Sequence, residues 1–120
     1  MNVIYHEMLP ESYLLILAPG RVGEREIALA HWLHHAQRSG RLAVWVDCSM
    51  LQSLSDEAAQ LLWASHFELQ KKHAQLVLVH VPVRVKQVLL SWELGSAPCM
   101  VPTLLDAARQ AQWHHGNIVA

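Results

Sequence analysis

Short apolar runs alternate along this chain with longer segments of helical periodicity. Three of the runs are almost continuously apolar, and they cover residues 12–19 (SYLLILAP), 42–47 (LAVWVD) and 75–81 (QLVLVHV). Strands that are buried on both faces of a sheet have this composition, whereas strands with one solvated face alternate apolar and polar residues. The alternation therefore predicts an α/β protein with a mostly parallel sheet, right-handed crossovers and helical cover.

Four segments between and after these runs carry helix signals. The helices are predicted over residues 24–40, 56–73, 82–95 and 103–115. Acidic residues open the first two, Pro82 stands in the first turn of the third, and Thr103 is a candidate N-cap of the last. Two weaker strands, an edge strand over residues 3–9 and a short one over 97–102, complete a sheet of four or five strands, and the tail 116–120 has no assignment.

Length and composition predict one folded domain. The chain has 120 residues, of which 52% are hydrophobic and 16% charged, so it can bury a core and does not have the composition of a disordered protein. No linker, repeat or low-complexity segment interrupts it. The domain is predicted over residues 1–120, with its core at about 12–111.

Charge and hydropathy argue against several classes of partner. Nine Lys and Arg residues are balanced by ten Asp and Glu residues, so the chain has no basic field for nucleic acid. No apolar stretch has the length of a membrane-spanning helix, and the first residues lack the apolar run of a secretory signal. We therefore expect a cytoplasmic protein without direct membrane insertion. Cys48 and Cys99 are expected to be buried free thiols, with a disulfide as the alternative.

The sequence carries no motif for catalysis or for a cofactor. GxSxG, P-loop and GxGxxG patterns are all missing, so we expect a noncatalytic protein without a cofactor. His31, His34 and His35 have spacings of three and four on the first predicted helix, so two of them can share a face. Because the local sequence supplies no third or fourth ligand, no metal site is predicted there.

The segment VDCSMLQSLSDEAAQLL, over residues 46–62, holds the candidate site. It joins the end of a predicted central strand to the start of a predicted helix, and function in open α/β sheets tends to lie in such loops. The candidate partner-binding residues in it are Asp47, Ser49, Ser53, Ser55, Asp56 and Glu57.

This segment resembles the STAS domain, the family of sulphate transporters and anti-sigma-factor antagonists. The residues VDCS match the family's strand end closely, and SDEA occupies the place of its Asp-Ser-Ser-Gly or Asp-Ser-Thr-Gly motif at the start of a long helix. The segments LAPGRVGEREIALAHWL, AQLVLVHVPVRVKQVLLSWELG and PTLLDAARQA are similar to other parts of the family pattern, in the same order. The resemblance implies a mixed sheet with helices mainly on one face.

The chain departs from the family at the motif itself. In regulatory members a Ser or Thr there is phosphorylated by a partner kinase, and those hydroxyl positions fall on Asp56 and Glu57. The acids can imitate a permanently modified state, or the switch can be lost. A third interpretation is purely structural, because acids in the first turn favour the positive end of a helix and Ser55 can be its N-cap. Ser53 and Ser55 stay open as hydroxyl acceptors. We predict that Asp56 and Glu57 are exposed.

Two aromatic residues of the same helix are further candidates. Trp63 and Phe67 are four residues apart, and they lie on a different face from the stripe of Ala59, Leu62, His66 and Leu69. If that stripe faces the sheet, the two rings lean outward and are candidates for an interface. The alternative is that the helix is broadly buried and both rings belong to the core.

The resemblance implies a regulator that acts by binding other proteins. Its expected partner is an anti-sigma factor or a serine kinase of the histidine-kinase-like type, and a homodimer is left open. Two other functions stay open: a STAS subunit of a lipid-transport ABC system, and a module that binds a small ligand or nucleotide.

Overall fold

A computed structural model describes residues 1–21 and 23–110 of the chain. Its elements follow in the order β1 (Asn2–Met8), β2 (Ser12–Ala18), α1 (Ile27–Arg38), β3 (Ala43–Asp47), α2 (Asp56–Lys71), β4 (Gln75–Val79), α3 (Val83–Leu90) and β5 (Cys99–Val101). A last helix covers residues 104–110, where the description ends. The predicted continuation of this helix to residue 115 and the tail 116–120 lie outside the described residues.

The five strands form one mixed sheet in the order β1-β2-β3-β4-β5. β1 runs antiparallel to β2, and the other neighbours are parallel. The apolar run at residues 42–47 forms the central strand, where Val46 lies beside Leu15 of β2 and Leu78 of β4. The predicted α/β fold with a four- to five-stranded sheet is confirmed, and α2, with 16 residues, is the longest of α1, α2 and α3.

The continuous apolar runs arise because the central strands are covered on both faces. The larger core cluster joins one face of the sheet to α1, α2 and α3, through residues such as Leu15, Val46, Leu33, Leu62 and Leu89. A smaller cluster joins the opposite face to the last helix; its buried members are Val77, Val79 and Ala107. Fully burying one such aliphatic side chain contributes about 1.5–3 kcal/mol. Helices therefore lie mainly on one face, as predicted.

Three predicted boundaries are wrong. The first helix was expected to begin at Glu24, but α1 begins at Ile27. The backbone explains the other two. The apolar run at residues 75–81 was expected to be a strand throughout. Instead β4 ends at Val79, because His80 has a φ of 53°. The third helix was expected to continue to its stop just before Gly95, but α3 ends at Leu90. Beyond it, Glu93 and Gly95 have φ angles of 47° and 125°, which a right-handed helix cannot contain.

Among the described residues, no helix is both long and apolar enough to cross a membrane.

Candidate functional site

Ser55 starts α2 as a hydrogen-bonded N-cap. Its backbone is extended, with φ −72° and ψ 158°, and its hydroxyl accepts a hydrogen bond of 3.1 Å from the backbone N–H of Ala58. This bond satisfies one of the amides that the first turn of a helix leaves without a partner. Asp56 and Glu57 follow in the first turn, where negative charge is favourable. The predicted start of the helix and its cap agree with the structure.

The same hydroxyl joins α2 to the loop that precedes α1. Ser55 Oγ donates to Glu26 Oε1 at 3.0 Å, and Glu26 is buried, with 6% of its surface exposed. The second carboxylate oxygen, Glu26 Oε2, lies 3.0 Å from the α-amino nitrogen of Met1, which is buried as well. A buried carboxylate is tolerated when it is paired and hydrogen-bonded, and Ser55 and Met1 supply both interactions.

Glu57 is tied to the same loop by its own carboxylate. Its Oε1 accepts the backbone N–H of Glu26 at 2.7 Å, and its Oε2 accepts the Arg25 Nε–H at 2.9 Å. The Glu26 amide is the main cause that lowers the pKa of Glu57, and the guanidinium of Arg25 lowers it further, against a smaller rise from partial burial. We call Arg25, Glu26, Ser55 and Glu57 the loop clamp.

The prediction that both acids are exposed is correct for Asp56 only. Asp56 is exposed, whereas Glu57 is half-buried and its two oxygens accept bonds from Arg25 and Glu26. Local sequence could not separate the two residues, because the partners of Glu57 lie 31 and 32 positions away in the chain. Glu24 and Glu26 are among the acidic residues that were expected to favour the start of the first helix. No local signal connects them to Glu57.

A cleft of about 510 Å³ lies between the two loops that the clamp joins. Arg21 and Arg25 line it from the loop after β2, and Gln52, Ser53 and Glu57 line it from the segment around the start of α2. A second hollow of about 620 Å³ adjoins it at the start of α1. The first cleft is lined by the positive charges of Arg21 and Arg25 and by the negative charge of Glu57. It therefore has hydrogen-bonding groups of both kinds and no strong electrostatic field of one sign.

Asp47 and Ser49 shape the loop between β3 and α2. Asp47 is buried, with 7% exposed, and its Oδ1 accepts the backbone N–H of Ser49 at 2.8 Å. An Asp side chain that bonds the backbone two residues on forms a local turn. Asp47 therefore acts within the loop, and its buried carboxylate is not available for the direct partner contact that was predicted. Ser49 and Ser53 are exposed.

The interpretation of Trp63 as an exposed interface residue is wrong. Its side chain is 2% exposed, and its Nε1–H donates to the backbone oxygen of Leu89 at 3.0 Å, which joins α2 to α3. Phe67 is half-buried, and its ring centroid lies 5.7 Å from that of Trp63. His66 of the same helix is buried as well, with its Nε2 at 2.8 Å from the backbone oxygen of Ser96, in the segment after α3. The face of α2 that was expected to be exposed therefore contacts α3 and the segment after it.

His31, His34 and His35 lie on the exposed surface of α1, and His31 and His35 take part in ring contacts. His31 and His35 stack with centroids 6.5 Å apart, and His6 of β1 stacks on Trp32 at 3.8 Å. Among residues 1–21 and 23–110, no group of three or more His, Cys, Asp or Glu side chains is arranged to hold a metal ion. That no metal binds at His31, His34 or His35 stays a prediction.

Both cysteines are free thiols, as expected. Cys48 is fully buried directly after β3, and Cys99 is half-buried in β5. Burial, and secondarily the charge of Asp47, raises the pKa of the Cys48 thiol to about 12. A thiol with such a pKa carries almost no thiolate at neutral pH, so Cys48 has no nucleophilic character.

Comparison with known proteins places the fold. No protein-family model matches the sequence, and no curated protein matches it either. Solved structures do match. TM1081 of Thermotoga maritima, a proposed anti-sigma factor antagonist, is 12% identical; its NMR structure has a TM-score of 0.76, with 93% of this chain and 90% of that chain covered.

Two further structures have the same fold. A serine-to-glutamate variant of RsbS from Moorella thermoacetica is 14% identical, with 93% of this chain and 98% of that chain covered and a TM-score of 0.74. The anti-sigma factor antagonist SpoIIAA in its unphosphorylated form is also 14% identical, with 89% and 94% covered and a TM-score of 0.63. The chain therefore has the fold of the STAS-type anti-sigma-factor antagonists, and the expected fold is confirmed.

Proposed function

We propose that this chain is a noncatalytic regulator that binds an anti-sigma factor or a serine kinase of the histidine-kinase-like type in the cytoplasm. The contact surface consists of the loop after β3 and the first turn of α2. The observation that carries the proposal is the difference between the two acids. Glu57 is held by Arg25 and Glu26, and Asp56 is left to face a partner.

The charge at this surface supports a site without a phosphorylation switch. In the resembled family the hydroxyls that receive phosphate fall on Asp56 and Glu57, and a carboxylate does not accept phosphate from a serine kinase. Arg25 offsets the charge of Glu57, so Asp56 supplies about one exposed negative charge, compared with about 1.5–2 for a phosphate group. The surface is therefore permanently and moderately acidic, whereas a phosphorylated surface is reversibly and strongly acidic.

Two serines near Asp56 differ in their availability as acceptors. Ser55 Oγ already accepts from Ala58 and donates to Glu26, so a transferred phosphate would break the cap and meet a buried carboxylate. Ser53 is exposed in the loop. We propose that neither serine is modified in normal regulation.

The decisive experiment measures the affinity of the chain for a purified kinase of the histidine-kinase-like type from the same cell. Asp56→Ser is the test variant, and Glu68→Ser, an exposed acid near the other end of α2, is the matched control. If Asp56 imitates phosphate against a pocket for neutral hydroxyls, Asp56→Ser strengthens binding. If the partner has a Lys or Arg opposite it, the variant weakens binding, by about 2–5 kcal/mol for a fully desolvated pair and by less at a rim.

Either sign supports this surface as the contact, and the sign identifies the kind of partner pocket. Tight binding that is equally strong in the wild type and in Asp56→Ser would contradict the proposal. Phosphate found on Ser53 or Ser55 by mass spectrometry, after treatment with that kinase, would contradict a site without a switch.

A further inference from the structure

We propose that two copies of this chain associate through the outer edge of β1, as an antiparallel pair about a two-fold axis at His6. This surface lies at the edge of the sheet, apart from the loop after β3 and the start of α2. The inference therefore goes beyond the proposed function. It rests on the composition of β1, its side-chain exposure and the registers that its pattern allows.

β1 is an edge strand with few of the features that prevent edges from pairing. Among the described residues, it pairs with β2 only, so the backbone groups of its other side face outward. Natural edge strands are usually protected by Lys, by Pro, by bulges or by very short length. The strand NVIYHEM has seven residues and contains no Lys, Arg or Pro. Its protective features are a bulge between Val3 and Tyr5 and one exposed charge, that of Glu7.

The side chains of this edge are apolar and exposed. Ile4, Tyr5 and Met8 are 55%, 46% and 56% exposed, and all three lie within seven residues of one strand. Met8 lies on the face of His6 and Tyr5 lies on the opposite face, so exposed apolar surface occurs on both faces of this edge, beside the polar Asn2, His6 and Glu7. A pairing strand would cover these side chains and satisfy the outward backbone groups in one step.

The two faces of β1 are fixed by contacts with its neighbours. His6 lies opposite Leu15, whose side chain is in the core beneath the helices, and its ring stacks on Trp32 of α1. Tyr5 and Glu7 lie on the other face, where Tyr5 Oη donates to Glu7 Oε2 at 2.8 Å. A two-fold axis perpendicular to the sheet keeps each face on its own side. Directly opposed residues must therefore share a face. The axis must then lie midway between the two copies of one residue, which are opposite each other.

Of the three axes near the middle of the strand, at Tyr5, His6 and Glu7, charge and the bulge favour the one at His6. An axis at Glu7 would place two carboxylates directly opposite each other, which is destabilising. An axis at Tyr5 would oppose Val3 and Glu7, which the bulge places on different faces. An axis at His6 opposes Tyr5 to the partner's Glu7 on one face, and it brings Ile4, the residue at the bulge, beside the partner's Met8; each of these contacts occurs twice. A closed two-fold dimer requires that the same strand edge be complementary to itself. Because β1 meets this condition in the register at His6, a second copy is favoured over an unrelated strand.

The test is the mass of the purified chain in solution, measured by sedimentation velocity over a range of concentrations. We expect a species of twice 13.6 kDa at high concentration. Ile4→Lys and Met8→Glu, each made alone, are expected to raise the dimer dissociation constant about tenfold or more, because each change counts twice in the ladder. Leu94→Lys, at a site that is 49% exposed beyond α3, is the matched control and should leave the dimer intact.

The double variant Ile4→Lys with Met8→Glu tests the register itself. In the register centred on His6, each introduced lysine faces the introduced glutamate of the partner, so the dimer is expected to return. Circular dichroism of each variant confirms that the sheet is folded. A wild type that stays monomeric up to several hundred micromolar would overturn the proposal. So would a dimer that Ile4→Lys does not weaken, or a double variant that stays monomeric.

The wild type can also be monomeric while Ile4→Lys abolishes its binding to the kinase. That result would show that the β1 edge binds another protein, and it would overturn pairing between copies. The sedimentation measurement needs no kinase, so its failure is distinguishable from failure of the proposed function at Asp56.

Discussion

Glu57 shows how one side chain can leave a partner surface and become part of the internal structure. Both oxygens of its carboxylate accept hydrogen bonds from the loop before α1, and its neighbour Asp56 keeps an exposed charge. The two residues have nearly the same chemistry and adjacent positions. Their roles differ because the helix turns by about 100° per residue, so only Glu57 is directed at Arg25 and Glu26.

The lowered pKa of Glu57 predicts a pH-dependent contribution to stability. A folded-state pKa below the ordinary value of 4.5 means that the ionised form is favoured by folding. The contribution is therefore complete above about pH 4.5 and is lost as the pH falls through the lowered pKa. We expect Glu57→Gln to lower the midpoint of thermal unfolding at pH 7, and the difference from wild type to shrink below pH 4.5.

The control for this prediction is Glu68→Gln, because Glu68 is exposed and, within residues 1–21 and 23–110, its ion pair is with Lys71 of its own helix. Its effect on the midpoint should be smaller at neutral pH. A Glu57→Gln effect that is constant from pH 3 to pH 7 would show that the loss comes from side-chain shape and not from charge.

At the scale of the element, α2 is fixed at both its start and its middle. Ser55 caps the first turn and holds Glu26, and Trp63 donates to α3 at Leu89 O. These contacts set the position of the first turn relative to the loops on either side. The surface that carries Asp56 is therefore preorganised, which lowers the entropy cost of binding a partner.

Ser55→Ala is expected to destabilise the chain by about 1–3 kcal/mol. The variant removes the acceptor for the Ala58 N–H, and it also removes a donor to the buried Glu26 carboxylate. Ser53→Ala changes an exposed serine of the same loop, and we expect it to stay within about 0.5 kcal/mol of wild type. Chemical denaturation measures both, and equal effects of the two variants would contradict the role of the cap.

At the scale of the whole molecule, the central strand and its continuation lie deep in the fold. Val44, Val46 and Cys48 are fully buried, and the backbone N–H of Cys48 extends the pairing of β3 with β4 by donating to Val79 O at 2.9 Å. Exposing Cys48 requires the helices on one face to leave the sheet. Its thiol is therefore a reporter of global unfolding.

We predict that Cys48 reacts with a disulfide reagent only through the unfolded state. In the Cys99→Ser variant, the labelling rate should be at least about 10³-fold below that of the unfolded chain, as a free energy of unfolding of 5 kcal/mol or more requires. In the Cys48→Ser variant, the half-buried Cys99 should react faster. The reaction is followed by absorbance, and equal rates for the two thiols would contradict the buried position of Cys48.

The sequence by itself determined the elements whose signals are local. Continuous apolar runs predicted the central strands because both faces of each are covered, and Ser55 followed by two acids predicted the start of α2 because capping acts within one turn. Cys48 and Cys99 were correctly expected to be free thiols. The resemblance of the motifs, more than any single pattern, predicted the STAS fold.

Only the tertiary structure decided which of these residues are exposed and which are held by other parts of the chain. Trp63 is buried because α3 packs over it, Asp47 is turned into its own loop, and Glu57 is held by residues 31 and 32 positions away. Local sequence specifies the period and the ends of an element, because the interactions that set them span only a few residues. Which face of a helix meets solvent depends on elements far along the chain, and the sheet brings these together only when the chain folds.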